Sequence, residues 1–434
     1  MRLTLASLLL LAIPSGVDAA EWARFRGPDG DGVSPDSKPV PTEWSETKNL
    51  RWTAELPGPG LSSPVVHGDR VFLTSWTGYA AGEGSSDNID DLKRALVCID
   101  RNSGETIWTK EVAAVQPEEP FRGMFAENGY ASHTPVTDGE RVFAFFGKTG
   151  VIAFDMDGEK LWQASVGVGD GMMGWGTSSS PVLYKGMVII TAAAESKSII
   201  ALDQKNGEEV WKQEADSLAG TWSTPILVEG PEGPELVLAV PYEIWGINPD
   251  TGKLRWYCES VDSNSACASP VVKDGVVYFV GGRDGGSIAV KIGGKGDVSD
   301  SHVVWRERHR ARIGSPVAHG DNLYWVANGV ANCIRLADGA EVYQERLNSG
   351  SGGGRGRGQD YSSMVAADGK LFFVNRGGTC FVLALGDDFE QLAANRFDSD
   401  GGQYSATPAI VDGQIFIRSS DRLYCVEQAV EAGG

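Results

Sequence analysis

The sequence is poor in the residues that build metal centres and redox pairs. Six cysteines and five histidines are spread over 434 residues. No two cysteines adjoin or form CxxC, which excludes a zinc ribbon or a dithiol couple. Basic residues are also scarce. The 38 Lys and Arg face 58 Asp and Glu, and the net charge of −20 argues against general binding to nucleic acid or to an anionic membrane. Past the first residues there is no helical periodicity and no run long enough to cross a bilayer, so no transmembrane segment is expected there.

The first residues read differently. Arg2, the apolar run Leu3 to Ile13 and the small residues Val17-Asp18-Ala19 have the layout of a secretory signal cleaved after Ala19. No cysteine follows the run, which gives no sign of a lipoprotein. The mature chain is expected to be periplasmic or secreted. Export permits disulfides, and Cys258 and Cys267, close in sequence across a loop, are the expected pair.

Glycine is abundant, at 56 residues, beside many Val, Trp, Tyr and Phe, which suits a β-protein with many turns. The chain also repeats itself. "SSPVVHGDRVF" from Ser62 returns as "HTPVTDGERVF", "SSPVLYKGMVI", "ASPVVKDGVVYF", "GSPVAHGDNLYW" and "ATPAIVDGQIF", with looser copies at Ser223 and Ser362. From Pro135 onward, Pro181, Pro225, Pro270, Pro316, Met364 and Pro408 recur every 44 to 48 residues. That period fits a four-stranded propeller blade. Four copies end on a Gly turn shortly before Trp108, Trp162, Trp211 or Trp256, and Trp305 ends a shorter version. Trp52 stands alone near the start. These six indoles are expected to lodge between blades as structural docking residues. Cys98 and Cys425 take the place of Ala153, Ala201 and Ala289 in other copies and read as buried free thiols.

The last copy has room for three strands, and Asn49 to Leu56 can supply the fourth. The expected fold is therefore all-β: an eight-bladed β-propeller of four-stranded antiparallel blades, closed by an N-terminal strand that hides a sheet edge. The expected divisions are a signal peptide at 1–19, an N-terminal extension at 20–49, the propeller at 50–428 and a tail at 429–434. "GPDGDG" in the extension is read as a turn, because Asp29 and Asp31 alone make weak cation ligands.

The G-x-x-x-W endings, with the preceding Ala/Gly-x-Asp/Asn, resemble the repeat of quinoprotein-like propellers. That family includes pyrroloquinoline-quinone (PQQ) alcohol dehydrogenases and outer-membrane protein assembly factor B lipoproteins. "WARFRGPDGDGVS" is similar to the N-terminal signature of exported PQQ-like repeat proteins of planctomycete-type bacteria. The resemblance implies the fold and leaves activity open.

In such blades the links between successive blades and the loops between second and third strands share one face. The long insertions 77–93, 113–132 and 348–361 belong there, and long loops on a rigid ring carry function. Charge on that face is uneven. Glu83, Asp87, Asp90, Asp91, Glu118, Glu119 and Glu127 come from early blades, and Arg283, Arg310, Arg312, Arg355, Arg357 and Arg376 from later ones. The arginines read as an anion-binding quadrant. Phe125, Tyr130, Trp175, Trp222, Tyr361 and Tyr404 lie in Gly-rich links as exposed aromatics able to stack a ligand, and Asn128 and His133 lie beside them.

No nucleophile, base and acid stand at a spacing that defines a catalytic set, so no catalytic residue and no metal ligand is assigned. The favoured expectation is a non-catalytic scaffold for an envelope or extracellular protein or polysaccharide, with no cofactor. The resemblance implies an alternative, a dehydrogenase using PQQ and Ca²⁺, with Glu127, Asn128, Glu195, Asn264 and Trp222 as its nearest parts. Against it, the chain is shorter than those enzymes and lacks their neighbouring-cysteine disulfide and a haem-attachment CxxCH. A carbohydrate-binding propeller is the third reading.

Overall fold

The computed structural model describes residues 21–35, 38–282, 285–349 and 360–429. The signal segment 1–19 and residues 430–434 of the tail lie outside these. Eight antiparallel sheets form the molecule. Blade 1 runs outward from Val65–His67 through Arg70–Thr77 and Lys93–Asp100 to Thr106–Ala113. Blades 2 to 7 repeat this order. In blade 8 the three strands Ala409–Val411, Gln414–Arg418 and Arg422–Glu427 are completed by Leu50–Glu55, with Trp52 opposite Cys425. The innermost strands of neighbouring blades touch around the axis. Middle strands are buried along nearly their whole length, because both faces of a blade pack on neighbours.

Short turns set the hairpins. In blade 5 Asp274 and Gly275 have φ of 50° and 74°, the left-handed pair that a two-residue hairpin needs.

The recurring Trp sits at a β-bulge. In blade 1, Cys98 faces Trp108 and Ile99 faces Thr106, so Ile107 is skipped and turned outward. The same slip occurs in every blade, skipping Leu161, Val210, Arg255, Val304, Val342, Leu392 and Arg51. The bulge turns each indole toward the next blade. Trp52 Nε1 donates to the carbonyl of Arg101 (2.9 Å), Trp108 to Met156, Trp162 to Gln204, Trp211 to Pro249 and Trp305 to Leu336. The receiving turn must hold glycine: a Cβ on Gly104 would lie 2.7 Å from the Trp52 ring. Opposite the docking ring the residue is small, which explains Cys98 and Cys425 against Trp108 and Trp52 and Cys333 against Tyr343, all buried and free.

The seam between blades 4 and 5 departs from this rule. In blade 5 the glycines of the corresponding connection, Gly293 and Gly294, face Pro231 and His302 instead of the indole. Trp256 instead donates to the buried carboxylate of Glu235 in its own blade (2.8 Å) and packs on Gly246. The blade 5 insertion adds Gly296–Asp297 as a parallel strand on the outer edge of blade 4.

The expected Cys258–Cys267 disulfide does not form; both thiols are free. Cys258 lies in the outer strand Leu254–Glu259, whereas Cys267 lines the axial channel. Sequence proximity misled because the chain returns from rim to axis between them.

The extension crosses the face opposite the long loops. Trp22 bridges to Val66 of blade 1, and Val33 to Ala366 of blade 7. Arg26 is fully buried and donates to the carbonyls of Asp31 (2.7 Å) and of Pro316 in blade 6. "GPDGDG" does form turns, with Asp31 accepting from the Val33 N–H (2.9 Å). Phe25 lines the channel, so the extension is a plug.

Candidate functional site

The channel owes its form to the Ser or Thr before each of the seven recurring prolines and before Met364. The Ser63 N–H donates to Thr134 Oγ1, Thr134 to Ser180, Ser180 to Thr224 and Thr224 to Ser269. Ser269 continues to Ser315, Ser315 to Ser363, Ser363 to Thr407, and Thr407 returns to Ser63 (3.1 Å). Eight bonds thus close a belt in which every blade gives one N–H and one hydroxyl. All eight residues line an axial channel of about 100 Å³.

Loops cover the mouth of the channel. The short helix Phe125–Asn128, in the link from blade 1 to blade 2, reaches across so that Glu127 pairs with Arg376 of blade 7. The Arg376 guanidinium lies 4.9 Å over the Tyr361 ring, and the backbone N–H of Arg376 donates to the Asp360 carboxylate (3.1 Å). Trp222 and Trp175 lie 6.0 Å apart, and Trp222 Nε1 donates to the Gly176 carbonyl (3.0 Å). Asn128, Trp222 and Tyr361 line the channel.

Beside the mouth, on blades 5 to 7, Arg310, Arg312, Asn328 and Asp360 line an open hollow of about 370 Å³. Arg310 and Arg312 are exposed and make no ion pair among the described residues. Arg283, Arg355 and Arg357 lie outside the described residues. Arg376 is held by Glu127 and so belongs to the mouth, not to this hollow. Its recruitment by an acidic residue from the far side of the ring was not visible in the sequence, because the partners are remote along the chain.

Four of the aromatics expected to be exposed are buried: Phe125, Tyr130, Trp222 and Tyr404. Tyr404 is buried and donates to Asp400 (3.0 Å), which also accepts from Tyr424 (2.8 Å). Tyr130 is buried under Trp76, Phe121 and Phe125, its hydroxyl bonded to the Glu119 carbonyl. Gly-rich flanks suggested exposure; instead a glycine of the neighbouring blade, Gly378, lets its backbone approach the Tyr404 ring closely.

His133 and Glu195 lie in a third place, a cavity of about 30 Å³ among blades 1 to 3. Neither ring nitrogen of His133 nor Glu195 Oε2 has a hydrogen-bond partner among the described residues. Burial pushes Glu195 up to about 8. Burial, then the Arg94 charge, pushes His133 down to about 3, so both are neutral at pH 7. The buried Arg94–Glu118 pair and Lys148, paired with Glu119 and Asp170, form the cavity's charged wall.

This arrangement tests the quinone reading. Glu127 is engaged by Arg376, Asn128 and Trp222 line the channel, Glu195 is enclosed elsewhere, and Asn264 is exposed. The five residues do not converge, and neither enclosed space approaches the ~300 Å³ lower bound of ordinary cofactor pockets. They do not fit a quinone with its calcium, and no catalytic step is derived through it.

Residues 92–345 and 195–432 match the family described as outer membrane protein assembly factor BamB. No curated protein matches this sequence. BamB from Moraxella catarrhalis shares the fold at 10% identity and a TM-score of 0.58, covering 88% of this chain and 99% of that one. A europium-containing methanol dehydrogenase does so at 11% and 0.64, covering 94% and 98%. The quinohemoprotein alcohol dehydrogenase from Comamonas testosteroni does so at 11% and 0.60, covering 97% and 83%. Such low identities speak for architecture alone, but the family match spans most of the chain. This protein belongs to the PQQ-like propeller family of outer membrane protein assembly factor BamB.

Proposed function

We propose that this protein is an exported, non-catalytic propeller that binds an envelope or extracellular protein or polymer through its loop face. The observation that carries this reading is the hollow of about 370 Å³ lined by Arg310 and Arg312. Two exposed guanidiniums in a chain of net charge −20 offer forks to carboxylates of a partner. On the same face Met124, Val168 and Met173 stand exposed on the links into blades 2 and 3. Methionine adapts to varied apolar partners, which favours a protein over a polysaccharide. The family and the Arg2–Ala19 signal pattern support a periplasmic or secreted location.

A pull-down from envelope extract tests this. Wild type is expected to retain a partner that R310A/R312A loses; identical recovery by both contradicts the reading. The dehydrogenase alternative is tested by adding PQQ and Ca²⁺. Stoichiometric quinone binding with dye reduction by an alcohol or aldose would replace the proposal.

A further inference from the structure

The belt hydroxyls spend one lone pair each on a backbone N–H, and no belt O–H has a protein acceptor among the described residues. Their O–H groups are therefore free to turn toward the channel that they line. No carboxylate lines it; the lining is hydroxyls, Asn128, Cys267 and apolar or aromatic side chains. Glu127, near the mouth, is already paired with Arg376. At the other end, next to Phe25, Arg26 is a fully buried cation whose Nε and Nη1 have no hydrogen-bond partner among the described residues. Its Nη2 is held by the carbonyl of Pro316, the residue after belt member Ser315. Asp31 offers Arg26 a backbone carbonyl, while its carboxylate accepts from Val33.

We propose that the axial channel is a binding site for a small monovalent anion of halide size. Eight hydroxyls without a protein acceptor among the described residues and the absence of a lining carboxylate suit the channel to a small anion, with the Arg26 guanidinium, next to Phe25 in the plug, as a further positive charge shared with Asp31. Its volume of about 100 Å³ admits a halide with a few waters and excludes larger anions such as a tricarboxylate. This site is independent of the loop-face hollow, and either can fail alone.

The test uses bromide. Crystals of the mature protein grown in sodium bromide are expected to show an anomalous peak inside the belt. In solution, the midpoint of thermal unfolding should be about 2 °C higher in sodium bromide than in sodium gluconate at equal ionic strength. Thr224→Val with Ser269→Ala should abolish that difference while the protein still folds. Arg26→Gln should do the same if it folds. A channel holding only waters without anomalous signal, or equal midpoints in the two salts, overturns the proposal.

Discussion

The Thr407 N–H donates to the Ser63 hydroxyl across the seam where the last blade meets the first. That bond completes the belt. Arg418 of blade 8 reinforces the same seam, donating to the carbonyls of Ser62 (3.0 Å) and Thr74 (2.8 Å) of blade 1. The ring is thus held at its axis by the belt and at its rim by Leu50–Glu55. Ser63→Ala leaves the Thr407 N–H without its acceptor. A loss of about 1 kcal/mol is expected, read from the urea midpoint.

The rim seam is a Trp pressed on a glycine. Trp52→Ala is expected to cost about 3–5 kcal/mol. Gly104→Ala should also cost a few kcal/mol, roughly 2–4, because its φ of 77° and the 2.7 Å approach to the indole both oppose a Cβ. The double variant should fall well short of the sum, since both changes break one contact. Strict additivity in denaturation would refute the docking arrangement.

His133 and Glu195 give stability a distinctive pH profile. Glu195, with its folded pKa raised to about 8, binds more protons folded than unfolded above the ordinary carboxylate range. Its contribution falls as pH rises toward 8. His133, lowered to about 3, binds fewer protons folded, so its contribution rises with pH up to about 6.5. The two oppose each other between about 4.5 and 6.5, and above that the Glu195 decline stands alone, at no more than about 1.4 kcal/mol per pH unit. Glu195→Gln should flatten the decline between pH 6.5 and 8 in thermal melts.

The plug can be checked through Cys267, which lines the channel and whose thiol is pushed up to about 11 by burial. Its alkylation at neutral pH should be slow, because thiolate is scarce. Deleting residues 20–35 removes Phe25 and Trp22 from the ring and should speed the reaction at least tenfold, by mass spectrometry of labelled peptides. Unchanged labelling would show that the extension does not seal the channel.

Much of the architecture was legible because it repeats. The Pro period fixed the blade, and the missing fourth strand of the last copy pointed to Trp52. The belt was half visible: the recurring Ser or Thr could be read in every copy, but its bond to the next blade is a relation between copies, not within one. Places where the repeat lapses were harder. The longer connection of blade 5 gave no hint that Trp256 would turn to Glu235. The site residues scattered most, because a link's composition does not say whether its aromatic ring faces solvent, as the burial of Tyr130 and Tyr404 shows.

The most direct test of a loop-face binding scaffold is the affinity of the mature protein for an acidic peptide, hexaglutamate, followed across ionic strength. Wild type should bind at low salt and weaken steeply as salt rises, and R310A/R312A should lose at least tenfold in affinity with an unchanged unfolding midpoint. Equal affinity of the two proteins, or no binding by wild type at low salt, would contradict the assignment of that hollow as the partner's seat.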